Sequence, residues 1–273
     1  MKRIISAFLY SNIFISFGGA AAYLYGSYSL KFEWNIQDWL MAIMAFASTY
    51  FAYGLTRKKA VFGHFVEDLP PRIAWWLGKK YFFYVSMLMA LFVLLSGSFF
   101  IEFDTFLAFS LLGLISVLYS ITIPGTVLKL RKIRFMKTIF IAFIWACLAA
   151  LLPLIENSLL DFMPDFWIHK ASTLFVQQFL FILAITLPFD IRDMQIDKQQ
   201  NTQTIPLLIG AKNTLYLATV LLAVANVVFQ LSIALTLMSI ILIVTSYQKT
   251  NDWFYLGLID ALLILQTLLI WIG

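Results

Sequence analysis

Charge is scarce in this 273-residue sequence: Asp, Glu, Lys and Arg together supply 12% of it, about half the share of soluble domains. So few charges cannot clothe a water-facing surface, and 62% hydrophobic residues exclude most soluble folds. Lipid must cover much of the chain. Cysteine is scarcer still: Cys147 stands alone inside an apolar run, which excludes disulfides and cysteine-based metal sites within one chain. The only histidines are His64 and His169, expected on opposite sides of the membrane, so they cannot share a metal. No Gly-rich phosphate loop, nucleophile elbow, zinc spacing, internal repeat or Gly/Ser linker occurs. The chain reads as one all-α domain over 1–273.

What is present is a series of long apolar runs, at 4–30, 36–55, 81–100, 105–123, 138–155, 171–189, 214–230, 231–247 and 253–272. Each approaches the roughly 20 residues of a membrane-crossing helix, which predicts a polytopic bundle of about nine transmembrane helices. Met1-Lys2-Arg3 ahead of the first run, with Ala20-Ala21-Ala22 inside it, resembles a signal peptide. That run is longer than the roughly 7 to 15 apolar residues of a signal sequence, so it is expected to stay as the first helix.

The net charge of +5 does not signal nucleic acid, because the cations lie in short loops between apolar runs. With the N-terminus inside, seventeen of the nineteen Lys and Arg fall on the cytoplasmic side, leaving Lys31 and Lys170 outside. This follows the retention of cations in cytoplasmic loops and predicts an outside C-terminus.

The stretch richest in chemistry is Leu187-Pro188-Phe189-Asp190-Ile191-Arg192-Asp193-Met194-Gln195-Ile196-Asp197-Lys198. On a helix, at about 100° per residue, Asp190, Asp193 and Asp197 fall within roughly 60° of one another. Carboxylates so close repel, so something positive is expected among them. Mg²⁺ suits, since it takes oxygen ligands and usually binds one or two carboxylates plus substrate phosphates. A solvated helix end, with the acids beside Arg192 and Lys198, is the simpler alternative.

Together with Asn201 and the following Thr204-Ile205-Pro206-Leu207-Leu208-Ile209-Gly210, this stretch resembles the second aspartate-rich motif of the UbiA-type intramembrane prenyltransferases. That motif reads Asp-x-x-Asp-x-x-x-Asp before a Thr-Leu-Pro-like turn and a short apolar run ending in Gly. The resemblance implies a helical bundle that binds Mg²⁺ through Asp190, Asp193 and Asp197 and uses them in catalysis. A second likeness lies at Tyr119-Ser120 and Leu128-Lys129-Leu130-Arg131-Lys132. By that similarity Lys129, Arg131 and Lys137 would contact a substrate diphosphate, beside Arg192 and Lys198. Positive-inside anchoring explains these cations nearly as well.

The sequence departs from the family at its first motif, which carries an Asn and one or more Asp near the end of helix two. No carboxylate occurs between Asp38 and Glu67. Gly54 and Thr56 stand where the Asn and first Asp are expected, followed by Arg57, Lys58 and Lys59. Three readings follow. Metal binds through the second motif alone while Arg57 and its neighbours neutralise diphosphate; or Glu67 and Asp68 fold back, against the restriction of Pro70 and Pro71; or catalysis is lost and a lipid pocket remains. The first is favoured.

Asp260 lies inside the last run, where a charge costs at least about 2.5 kcal/mol at the membrane centre. It is expected to be neutral, paired or facing a cavity, and Gln177 and Gln178 face a similar choice. Tyr53 and Tyr119 are expected in the cavity wall, where an aromatic face can stabilise a carbocation. The activity implied by the resemblance is transfer of an isoprenoid chain from an allylic prenyl diphosphate to a membrane-held aromatic or quinone-type acceptor. The alternatives are an inactive isoprenoid- or lipid-binding protein of the same fold and, less in keeping with the shallow charges, a small transporter.

Overall fold

The computed structural model describes residues 2–31, 33–62, 70–120, 135–157, 164–199, 202–248 and 251–272. Among them every regular element is helical, the form that satisfies backbone polar groups where water is missing. The first apolar run corrects the expectation of one continuous helix. It divides into α1 (Lys2–Tyr10) and α2 (Ile13–Lys31), which meet at a bend of 53°. Asn12 in the break has a left-handed backbone, φ 69°, a conformation that Asn tolerates better than most side chains.

α3 (Ile36–Phe62) continues well past the predicted end at 55 and so carries Arg57 on its last turns. A single turn, α4 (Pro71–Ala74), precedes α5 (Lys80–Gly97) and α6 (Phe103–Ser120). α7 (Met136–Ala146) passes through a π-helical turn, Cys147–Leu151, into α8 (Leu152–Glu156). Pro153 accounts for that turn, because it has no N–H for the carbonyl four residues back and its ring would strike it. α9 (Pro164–Arg192) is the longest helix described, followed by the short α10 (Met194–Gln199) and α11 (Ile205–Ile209). α12 (Ala211–Val227) and α13 (Ile233–Ser246) lead to a second π-helical turn, Phe254–Ile259, and α14 (Asp260–Ile272).

The segments Ile36–Lys58, Lys80–Phe100, Met136–Glu156 and Pro164–Arg192 are each long and apolar enough to cross a membrane, and the bent α1–α2 pair makes a fifth when counted as one span. Phe103–Tyr119, Ala211–Val227, Ile233–Ser246 and Phe254–Ile270 are shorter apolar helices. The chain is an all-α, polytopic integral membrane protein. Its outer faces suit lipid: Leu88, Met89, Phe92 and Leu95 on α5 and Leu107, Leu111 and Leu114 on α6 are all exposed.

α2 packs against both α3 and α14. Small residues allow this, as expected where lipid gives no hydrophobic drive for helices to associate. A Cβ on Gly26 would collide with the Ala149 carbonyl in the first π-helical turn, and backbone cannot yield as a side chain would. Thr267 donates to the Ala21 carbonyl at 2.7 Å, tying α14 to α2.

The bundle has polar clusters at both ends. At the end holding Lys31 and Asn157, the buried Asp38 accepts hydrogen bonds from Lys31 Nζ (2.7 Å), Ser27 Oγ (2.5 Å) and the Asn35 amide (2.8 Å). Lys31 also donates to Asn157 at 2.7 Å. The other end carries the aspartate-rich stretch.

Candidate active site

A cavity of about 1680 Å³ extends from the C-terminal end of α9 into the bundle. Its wall combines apolar residues, among them Ile15, Trp145, Leu148, Ile182 and Leu263, with a polar group at the α9 end. It exceeds the roughly 300–1,000 Å³ of ordinary small-molecule sites, which suits a long apolar ligand.

Lys137, on the first turn of α7, lies between two of the three predicted carboxylates, 2.9 Å from Asp190 and 2.8 Å from Asp197. Thr138 Oγ1 also donates to Asp190. The third, Asp193, is held elsewhere. It sits in the break between α9 and α10 and pairs with Arg192 at 2.9 Å and with Arg72 at 2.8 Å. Arg72 also binds Asp252 at 2.6 Å, and Arg192 reaches the same carboxylate at 3.3 Å. Two arginines and two aspartates thus tie α4 and the approach to α14 to the end of α9. Phe189 and Tyr255 lie under the Arg192 guanidinium, with ring centres 5.1 and 4.8 Å away, which restricts it to the plane that serves both acids.

The positive charge expected among the three carboxylates is therefore supplied by side chains, in two separate groups. Burial pushes the Asp193 carboxyl up, but the hydrogen bonds and charge of Arg192, with the charge of Arg72, outweigh it and hold the group below its ordinary value.

α3 presents Thr49, Tyr53 and Arg57 to the cavity, one helical turn apart. Gly54 is buried against Met87 of α5, so the place compared above with the family's Asn points away from the cavity. Thr56 and Lys58 are exposed at the rim. The Arg57 guanidinium has no ion-pair or hydrogen-bond partner among the described residues, and its Nε is buried. Tyr119 lines the cavity, stacks on Phe140 with ring centres 5.1 Å apart, and donates to the Lys137 carbonyl at 3.3 Å. Asp260 lines the cavity deeper in the bundle. Lys198 is exposed and stands outside the cavity wall. Lys129, Arg131, Glu67 and Asp68 lie outside the described residues.

Arg72, Asp252 and Thr138 belong to this site and escaped the reading of the sequence. Arg72 follows two prolines in a polar loop and Asp252 opens the last apolar run, so neither has a local signal. Thr138 does adjoin Lys137, and its hydroxyl at the mouth of an apolar helix was a signal available in the sequence.

Mg²⁺ usually binds one or two carboxylates plus phosphate oxygens. Asp190 and Asp197 fit that role, since they already converge on one cation. Asp193 does not join them, because both of its oxygens accept from arginine. Among the described residues no three His, Cys, Asp or Glu side chains are grouped to hold a metal.

No protein-family model matches the chain, and no curated protein does. Solved structures do. A UbiA homolog from Aeropyrum pernix K1, in its apo form, superposes with a TM-score of 0.66 at 13% identity, covering 95% of this chain and 98% of that one. A UbiA homolog from Archaeoglobus fulgidus bound to DMAPP and Mg²⁺ gives 0.54 at 13% identity, over 97% and 98%. A digeranylgeranylglyceryl phosphate synthase gives 0.52 at 18% identity, over 98% of each chain. The chain has the fold of the UbiA homologues over nearly its whole length.

Proposed function

We propose that this protein is a membrane prenyltransferase that transfers an isoprenoid chain from an allylic prenyl diphosphate to a hydrophobic, membrane-held acceptor. One observation carries the reading: the Arg57 guanidinium, unpaired among the described residues, stands with Lys137 at the polar end of a large apolar cavity. An anionic head with a long apolar tail satisfies both parts. Arg57 and Lys137 would hold the diphosphate, with Lys58 at the rim, while Tyr53 and Tyr119 face the reacting carbon. Asp190 and Asp197 would hold Mg²⁺, which when bound withdraws electron density from the leaving diphosphate. Asp193 and Arg192, locked together with Arg72, position the end of α9. The apolar wall would limit the water that could quench an allylic cation. Two of the similar structures, UbiA homologs from Archaeoglobus fulgidus bound to DMAPP and Mg²⁺ and to GPP and Mg²⁺, support a donor of this class.

The polar end and the N-terminus would face the cytoplasm, with Gly273 outside. Reporter fusions after Gly210 and Gly273 should then give opposite readouts. The absence of carboxylates from the cavity face of α3 favours one other reading, an inactive isoprenoid binder. The experiment that separates them is diphosphate release from geranyl diphosphate by purified protein. Mg²⁺-dependent release that Asp190→Asn abolishes supports the transferase, and no release under any condition supports the binder.

A further inference from the structure

Asp260 is the one carboxylate in the cavity wall that the diphosphate site leaves unused. It is 9% exposed, and no hydrogen bond or ion pair engages it among the described residues. An ionisable side chain held unpaired at membrane depth is costly and marks function more often than packing. Its surroundings point to the ligand. Asp260 follows the π-helical turn Phe254–Ile259, an irregularity often found at functional sites. Opposite it, helix α1 breaks at Asn12, whose buried amide nitrogen also has no partner among the described residues. The two segments run side by side in the same direction. A Cβ on Gly257 would lie 3.7 Å from Leu9, and one on Gly18 would lie 3.1 Å from Leu263. Asn12 lies three residues beyond Leu9 and Asp260 three residues beyond Gly257, and both line the cavity.

We infer that Asp260 and Asn12 form a second-substrate subsite that takes a neutral hydroxyl group, phenolic or alcoholic, with Asp260 accepting its O–H and the Asn12 amide donating to its oxygen. The inference rests on the transferase reading for the role of that ligand, while the subsite itself rests on these two side chains. A cation would meet Asp260 alone and leave Asn12 idle, and an anion would meet Asn12 alone, so the pair selects a group that both donates and accepts.

The test is equilibrium binding of 4-propylphenol and its methyl ether, 4-propylanisole, to the purified full-length protein in detergent. The wild type should prefer the phenol by roughly two- to tenfold, the range of one hydrogen bond. Asp260→Leu and, separately, Asn12→Leu should erase most of that preference, and Asp260→Asn, which keeps an acceptor oxygen, should keep part of it. Equal binding of phenol and ether to the wild type would overturn the subsite, as would a preference that survives Asp260→Leu. Geranyl diphosphate is titrated in the same samples. If it fails to bind the wild type while the phenol preference holds, the transferase reading fails and the subsite stands.

Discussion

The two ends of the bundle solve the same electrostatic problem in different ways. At one end Asp38 is saturated, because Lys31, Ser27 and the Asn35 amide fill its acceptor positions and a lysine already committed to Asn157 balances its charge. At the other, the charges are shared: one lysine serves two carboxylates, two arginines share two more, and Arg57 has no ion-pair partner among the described residues. Buried ion pairs of the first kind do little more than hold a shape, since desolvation offsets most of their attraction. Clusters of the second kind are incomplete without a ligand. The cavity opens at that end, and the Arg57 guanidinium is the group an anionic head would neutralise.

The largest effects are expected where a buried pair is broken. Asp38→Ala strands Lys31 and should cost about 3–5 kcal/mol, read as thermal unfolding in detergent, with no recovery on adding Mg²⁺. Lys137→Met leaves Asp190 and Asp197 facing one another and should cost a similar amount. Here millimolar Mg²⁺ should restore stability, because a divalent cation can take the ammonium's place between the two oxygens. Equal responses of the two variants to Mg²⁺ would erase the contrast between the ends.

Next in size is Arg57→Ala. Having no ion-pair partner to strand among the described residues, it should change stability by less than about 0.5 kcal/mol, yet weaken geranyl diphosphate by about 1.5–3 kcal/mol, on the order of tenfold to a hundredfold. Geraniol affinity should hardly move. A stability loss as large as that of Asp38→Ala would show that Arg57 is structural.

The smallest effect concerns Asp193 and pH. Its carboxyl is held below the ordinary value by Arg192 and Arg72, so its contribution is fully present above the unfolded pKa and is lost as pH falls through the lower folded value. The stability gap between wild type and Asp193→Asn should be constant from pH 7 to about 5 and shrink below about 4. A gap that widens on acidification would reverse the assigned direction.

The apolar runs, the aspartate spacing and the cations at Arg57, Lys137 and Arg192 were all legible in the sequence, because each is a local pattern with a membrane or helical period. What stayed hidden was pairing across distance. Three acids on one helical face looked like one metal site, but the helix breaks at Asp193, and Arg72, far away in sequence, takes that residue into a different group. Gly54 and Thr56 were matched by position along the run, while the four-residue spacing of Thr49, Tyr53 and Arg57 is what faces the cavity. The break at Asn12 left no trace in hydropathy, since two polar residues hardly dent a long apolar run.

The most direct test of the central claim is the affinity of purified wild-type protein for geranyl diphosphate against geraniol, with Mg²⁺ present. If the open end of the bundle is a diphosphate site, the diphosphate should bind at least about tenfold tighter, as one charge-assisted contact already requires. Equal affinities would contradict it, leaving the apolar cavity as the sole determinant of binding.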